Sequence, residues 1–106
     1  MAAALINVPK KAKNGDVIEI KTLMSHIMET GFRHTTSGQV IPRDIITSFT
    51  CRFEGEEIFR ADLFPGTAAN PFISFFTVAT KSGKFDFEWI GDNGFSETAS
   101  ASISVE

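Results

Sequence analysis

The stretch Asp44-Ile45-Ile46-Thr47-Ser48-Phe49-Thr50-Cys51-Arg52-Phe53-Glu54-Gly55-Glu56-Glu57-Ile58-Phe59-Arg60-Ala61-Asp62-Leu63 decides the fold of this chain. Ile45, Thr47, Phe49, Cys51 and Phe53 share one face, and Phe59, Ala61 and Leu63 alternate with Ile58, Arg60 and Asp62, which is the two-residue period of half-buried strands. Glu54-Gly55-Glu56 joins the two runs as a tight turn, so the segment predicts an antiparallel hairpin.

The same grammar continues on either side. Upstream, Leu5-Ile6-Asn7-Val8 predicts a short strand that stops at Pro9, and Pro9 to Asn14-Gly15 reads as a loop closed by an Asn-Gly turn signal. Asp16 to Met24 then alternates, with Ile18, Ile20 and Thr22 opposite Glu19 and Lys21. Downstream, Phe64-Pro65-Gly66 to Asn70-Pro71 cannot continue a ladder and reads as a crossing loop. Phe72 to Thr80 is apolar on both faces, which predicts a central strand. Phe85-Asp86-Phe87-Glu88-Trp89 alternates strictly after the Lys81-Ser82-Gly83-Lys84 turn. Beyond the Gly91-Asp92-Asn93-Gly94 turn, Phe95 to Val105 sets Glu97, Ala99, Ala101, Ile103 and Val105 opposite Ser96, Thr98, Ser100, Ser102 and Ser104. Seven such segments and no helical period predict an all-β chain, an immunoglobulin-like antiparallel β-sandwich of about seven strands forming one domain over 1–106. Eleven Phe and no Tyr suit its core, because large rings fill the space between sheets without hydroxyls to satisfy.

Composition narrows the function. With 42% hydrophobic and 22% charged residues over 106 positions, the chain is an ordinary globular domain, too small for a catalytic cleft between domains. A net charge of −3 with scattered basic residues argues against nucleic acid as a partner. The nearest approach to a basic run, Lys10-Lys11-Ala12-Lys13, reads as a solvated loop. No apolar run reaches the ~18 residues of a membrane span. Met1 to Ile6 lacks the basic region and longer apolar core of a secretory signal. A single Cys51 rules out an intramolecular disulfide framework.

Ser25-His26-Ile27-Met28-Glu29-Thr30-Gly31-Phe32-Arg33 opens a connection of about twenty residues between two strands, a length that usually carries function. Met28 and Phe32 can fill a partner's pocket, Arg33 can fork onto a carboxylate, and Gly31 permits a positive φ at the bend. His26, Met28, Glu29, Thr30, Gly31, Phe32 and Arg33 are therefore the candidate partner-binding residues. The blander reading is that Met28 and Phe32 fold back onto their own core. An alternative is copper binding through Met24, His26, Met28 and His34, soft and borderline ligands that β-sandwiches can host. Cys51 does not extend that set, since it alternates in phase with Phe49 and Phe53 as a small buried hydrophobe and no His follows it. Catalysis is disfavoured: both histidines lie in one loop and a mid-strand thiol lacks the exposure a nucleophile requires. The chain is thus expected to be no enzyme and to carry no cofactor. The Ser/Thr face of the last strand is a second candidate surface, although a plain solvent face is the favoured reading of it.

Several stretches carry a family likeness: Val8-Pro9 with Ala12-Lys13-Asn14-Gly15, Ile18-Glu19-Ile20-Lys21-Thr22-Leu23, His26-x-Met28-Glu29-Thr30-Gly31, Ile41-Pro42-Arg43, Phe59-Arg60-Ala61-Asp62-Leu63, Ala68-Ala69-Asn70-Pro71 and Trp89-x-x-Asp92-Asn93-Gly94. In this order, over nearly the whole chain, they resemble the SoxZ family, the small subunit of the SoxYZ carrier of thiosulfate oxidation. Ile27 stands where the family pattern has proline, which frees the loop backbone there. The resemblance implies a non-enzymatic sandwich paired with SoxY, which holds sulfur intermediates on a cysteine in a flexible glycine-rich arm while other Sox enzymes dock transiently. It also implies a periplasmic location reached by export together with SoxY. Cys51 is then not the carrier thiol, because this chain ends Ser102-Ile103-Ser104-Val105-Glu106 without such an arm.

Overall fold

A computed structural model describes residues 3–106 as two facing β-sheets. The strands are β1 (Ala4–Asn7), β2 (Lys11–Ala12), β3 (Val17–Met24), β4 (Ile46–Phe53), β5 (Glu56–Asp62), β6 (Phe72–Val78), β7 (Gly83–Gly91) and β8 (Ser96–Val105), with one 3₁₀ turn at Asp92–Gly94. One sheet has the order β1-β3-β6 and the other β2-β8-β7-β4-β5. The all-β sandwich expected from the sequence is thus the fold, and β4 and β5 form the expected hairpin, pairing Cys51 with Phe59 and Phe49 with Ala61.

The core lies where the inward faces meet. Phe49 and Cys51 of β4 and Phe87 and Trp89 of β7 are buried from one sheet, and Ile18, Ile20 and Met24 of β3 and Phe75 of β6 from the other. Phe59 and Phe75 stack across the gap between the sheets, with centroids 4.2 Å apart and planes 2° from parallel. Such aromatic pairs add to what area burial alone contributes.

Three details differ from the expected arrangement. Lys11 and Ala12, read as solvated loop, form a two-residue strand parallel to the end of β8, with Lys11 opposite Ser104. The predicted face of β4 breaks at its start: the register against β7 shifts between Ile46 and Ser48, so Ile45 and Ile46 are both buried and Thr47 is only half-buried. A bulge of this kind re-aims the strand end.

The third difference has larger consequences. β6, read as central, is an edge strand, bonded to β3 on one side only. Ile73 and Phe75 face the core as expected, but Phe72, Phe76 and Val78 stand in the open on the sheet's outer face. Apolar residues on both faces of a strand do not show that both faces are covered by the same chain.

Candidate functional site

The connection from β3 to β4 is no floppy loop. Its two legs return along each other as an irregular arm, through bridges between Glu29 and Asp44 and between His34 and Val40. Glu29 N–H donates to Asp44 O at 2.8 Å, Asp44 N–H to Glu29 O at 2.9 Å, and Ile41 N–H to Arg33 O at 2.8 Å. The tip closes with Thr35 N–H on Gln39 O and Gly38 N–H on Thr35 O. At Gly31 (φ +88°) the legs lie close together, since a Cβ there would fall 2.9 Å from Arg43 Cβ. Residues 32–40 are all exposed. The molecule is elongated, 61 × 20 × 20 Å with a radius of gyration of 16.3 Å, where a compact chain of this length has about 13 Å.

The arm's base is tied to three distant segments. His26 N–H donates to the Asn70 Oδ1 at 2.9 Å, and Asn70 N–H returns a bond to His26 O at 2.8 Å. The His26 ring accepts Met28 N–H on Nδ1 at 2.9 Å, meets Phe95 edge-on at 4.8 Å, and sets Nε2 3.7 Å from Asp44. Those bonds fix the tautomer: Nδ1 is the acceptor, so the ring proton of the neutral form is on Nε2, facing the carboxylate. Met28 is held at φ +52°, an uncommon region for a side chain of this size. Its side chain is buried in the chain's own core, where Sδ receives Ile46 N–H at 3.3 Å.

Asp92 closes the base from the other sheet. Its carboxylate takes a two-pronged contact from Arg43, Nε to Oδ2 at 2.8 Å and Nη2 to Oδ1 at 2.9 Å, and a further bond from Ile45 N–H at 3.1 Å. The Arg43 guanidinium, followed by the Ile45 N–H, holds the Asp92 carboxyl below its ordinary value. Gly91 makes room for this contact, since a Cβ there would fall 2.5 Å from Ile45 O. A left-handed pair, Asn93 (φ 58°) and Gly94 (φ 76°), then turns the chain into β8.

Of the seven residues expected to meet a partner, the structure divides the set. His26 and Met28 are turned inward, and Glu29, with a side chain only 9% exposed, pairs with Arg33 Nε at 3.0 Å. That pairing lowers the Glu29 pKa and raises that of Arg33. Arg33 therefore already forks onto a carboxylate of its own chain. Thr30 Oγ1 accepts Phe32 N–H at 3.2 Å and shapes the bend. Only Phe32, 75% exposed, and the Arg33 side chain stand fully in the open. Asn70, Asp92, Arg43 and Phe95 complete the base and were not singled out by sequence reasoning. For Asn70, Arg43 and Asp92 the signal was present in the Ala68-Ala69-Asn70-Pro71, Ile41-Pro42-Arg43 and Trp89-x-x-Asp92-Asn93-Gly94 stretches, which the fold brings together here.

The four residues of the copper alternative are not drawn into one shell. Met24 is buried in the core, His34 lies on the exposed part of the arm, and the Met28 sulfur and the Nδ1 of His26 already accept backbone N–H groups. Among the described residues no three His, Cys, Asp or Glu side chains form a group that could hold a metal. Cys51 is fully buried, and burial, followed by the nearby Asp86, pushes its thiol up to about 12. A thiol that stays protonated is neither a nucleophile nor a sulfur acceptor at neutral pH.

A search of curated proteins finds no match by sequence. Among solved structures, superoxide reductase (neelaredoxin) from Ignicoccus hospitalis is similar with a TM-score of 0.73 at 20% identity, over 97% of this chain and 79% of that one. The sulfur carrier protein SoxY from Chlorobium limicola f thiosulfatophilum is similar with a TM-score of 0.68 at 16% identity, over 98% of this chain and 79% of that one. The CARDB domain of the PF1109 protein from Pyrococcus furiosus gives a TM-score of 0.58 at 12% identity, over 100% and 94%. At these identities the likeness is one of fold. The sequence itself matches the family described as sulphur oxidation protein SoxZ over residues 6–102, nearly its whole length, and the chain belongs to the SoxZ family.

Proposed function

We propose that this chain is the non-catalytic subunit of a SoxYZ carrier, pairing with a SoxY protein that holds sulfur intermediates during thiosulfate oxidation. Family membership over residues 6–102 is the observation that carries the reading. The chemistry of the chain agrees with it. Its one thiol is buried and protonated, and its two histidines serve or flank a structural arm, so the sulfur must be borne elsewhere. The residues 26–33 belong to that arm, and its exposed members Phe32 and Arg33 supply a contact for SoxY or for an enzyme docking on the pair. The pair works in the bacterial periplasm, exported as one with SoxY.

Co-expression with SoxY followed by size-exclusion chromatography tests the pairing. One peak with the mass of the complex is expected, and two separate peaks at micromolar concentration would sink the reading. Phe32→Ala then measures the arm's part: weaker capture of SoxY or of a docking Sox enzyme is expected, with an unchanged melting temperature.

A further inference from the structure

The outer face of the three-stranded sheet is lined largely by apolar side chains. Register places Val17 opposite Val78, Glu19 opposite Phe76, Lys21 opposite Ser74, and Leu23 opposite both Phe72 and, on the other side, Leu5. Leu5, Val17, Phe72, Phe76 and Val78 are each more than half exposed. Together they leave roughly 500 Å² of apolar side chain in the open, at the upper range for a monomer and most of the ~800 Å² each partner buries in a stable pair. The charges on this face cancel, since Lys21 Nζ lies 3.7 Å from Glu19. Between Leu5, Leu23 and Phe72 a shallow depression of about 340 Å³ offers a socket, with Asn7 and Lys21 on its rim.

The neighbouring edge is equally open. β5, the free edge of the other sheet, carries Glu56, Glu57, Arg60 and Asp62, the charges that keep an edge from pairing with strangers. β6 is seven residues long, Phe72-Ile73-Ser74-Phe75-Phe76-Thr77-Val78, with no charge and no proline. A soluble chain leaves such an edge and face bare only where another surface covers them.

We propose that this face, centred on Phe72 and Phe76, is the seat of SoxY, which lays one of its own sheet faces across it; the assignment rests on the pairing proposed above. Sheets pack face to face about 10 Å apart when their twists match. The SoxY of Chlorobium limicola f thiosulfatophilum shares the two-sheet fold over 98% of this chain, so a SoxY subunit brings sheets of the same twist. A neutral, apolar seat suits a lasting partner, whereas docking partners that come and go use smaller and more polar contacts. The arm is left free to meet them.

Calorimetric titration of SoxY into this chain and its variants, with hydrogen exchange on the wild-type complex, is the test. Phe76→Lys and Val78→Lys are expected to weaken binding about thirtyfold or more, the first by removing a central aromatic anchor and both by setting an unpaired charge in an apolar seat. Both positions are exposed, so melting temperatures should match the wild type, and Ser100→Lys on the opposite sheet should bind as the wild type does. Amides of residues 17–23 and 72–78 should gain protection in the complex. If SoxY binds the wild type but both lysine variants bind within threefold of it and these amides gain no protection, the face is not the seat while the pairing stands. If SoxY does not bind the wild type at all, the pairing and the seat fail together. If the chain alone sediments as a dimer that Phe76→Lys dissociates, the face joins two copies of this chain and its assignment to SoxY is overturned.

Discussion

The base of the arm and the outer face of the three-stranded sheet are opposite kinds of surface. At the arm's base nearly every strong group is answered within the chain: Asp92 by Arg43 and Ile45, His26 by Asn70, Met28 and Phe95, Glu29 by Arg33. On the sheet face Leu5, Phe72 and Phe76 each leave more than half of their surface in water. Residues that look chemically active in a sequence are often already spent on internal structure, while residues that look like ordinary core are the ones left for a partner. The physical difference lies in what each costs when unpaired. A polar group without a partner is expensive only when buried, and the base is partly buried, so its groups must pair locally. An apolar ring costs the chain's own fold almost nothing by staying in water, and regains its area on association.

The largest effect within the isolated chain is expected from breaking the finished region. Gly91→Ala pushes a Cβ to 2.5 Å from Ile45 O and 2.9 Å from Ile46 Cα, both backbone atoms that cannot swing away. The strand start must shift, at a cost of about 1–3 kcal/mol, which is typical of overpacking. Thermal unfolding should then occur roughly 4–20 °C lower. An unchanged melting temperature would mean that the close approach of the arm's base to the β7 end is not a constraint.

A smaller effect should come from Asp92→Asn or from acid, and it should be confined to the arm. The Asp92 and Glu29 carboxyls both lie below their ordinary values of 3.8 and 4.5, Asp92 chiefly through Arg43 and Glu29 chiefly through Arg33. A depressed carboxyl stabilises the folded state above its unfolded value and loses that contribution as pH falls through the folded one. The arm should therefore hold at neutral pH and loosen below about pH 4, with amide exchange at Ile41 and Asp44 rising severalfold while β7 stays protected. Asp92→Asn should produce the same loosening at pH 7. Equal exchange in the two proteins at pH 7 would show that the arm is held by its backbone bridges alone.

The sequence spoke clearly about strands and much less about edges. Alternation in β3, β4, β5, β7 and β8 follows from a period of two that any half-buried strand must show, so Ile18, Ile20, Phe49, Phe87 and Ile103 were legible as core. Lys11 and Ala12 were not legible as a strand, since two residues carry no period and their pairing with β8 is made by tertiary contact. Phe72 to Val78 misled for a deeper reason: apolar residues on both faces read the same whether the second face is covered by this chain or by another. The candidate site was legible in part. The length of the 25–45 connection marked it, but local sequence could not say that His26 and Met28 turn inward, because the groups that hold them, Asn70, Phe95 and Ile46, lie far along the chain.

The smallest expected effect is also the sharpest statement of the contrast. Phe72→Ser with Phe76→Ser removes two large rings, a change that in a core would cost several kcal/mol. Here both rings are more than half in water and their strand is paired on one side only, so the isolated chain should lose no more than about 0.5–1 kcal/mol. Denaturant unfolding measures it, with the slope unchanged because little buried area is altered. A loss above about 2 kcal/mol would mean that these rings pack within the chain after all, and the sheet face would then belong with the arm's base as finished surface. A near-zero loss leaves the rings without a role in the monomer, and two exposed aromatic rings on an uncharged edge strand are a liability that a lone chain has no reason to keep.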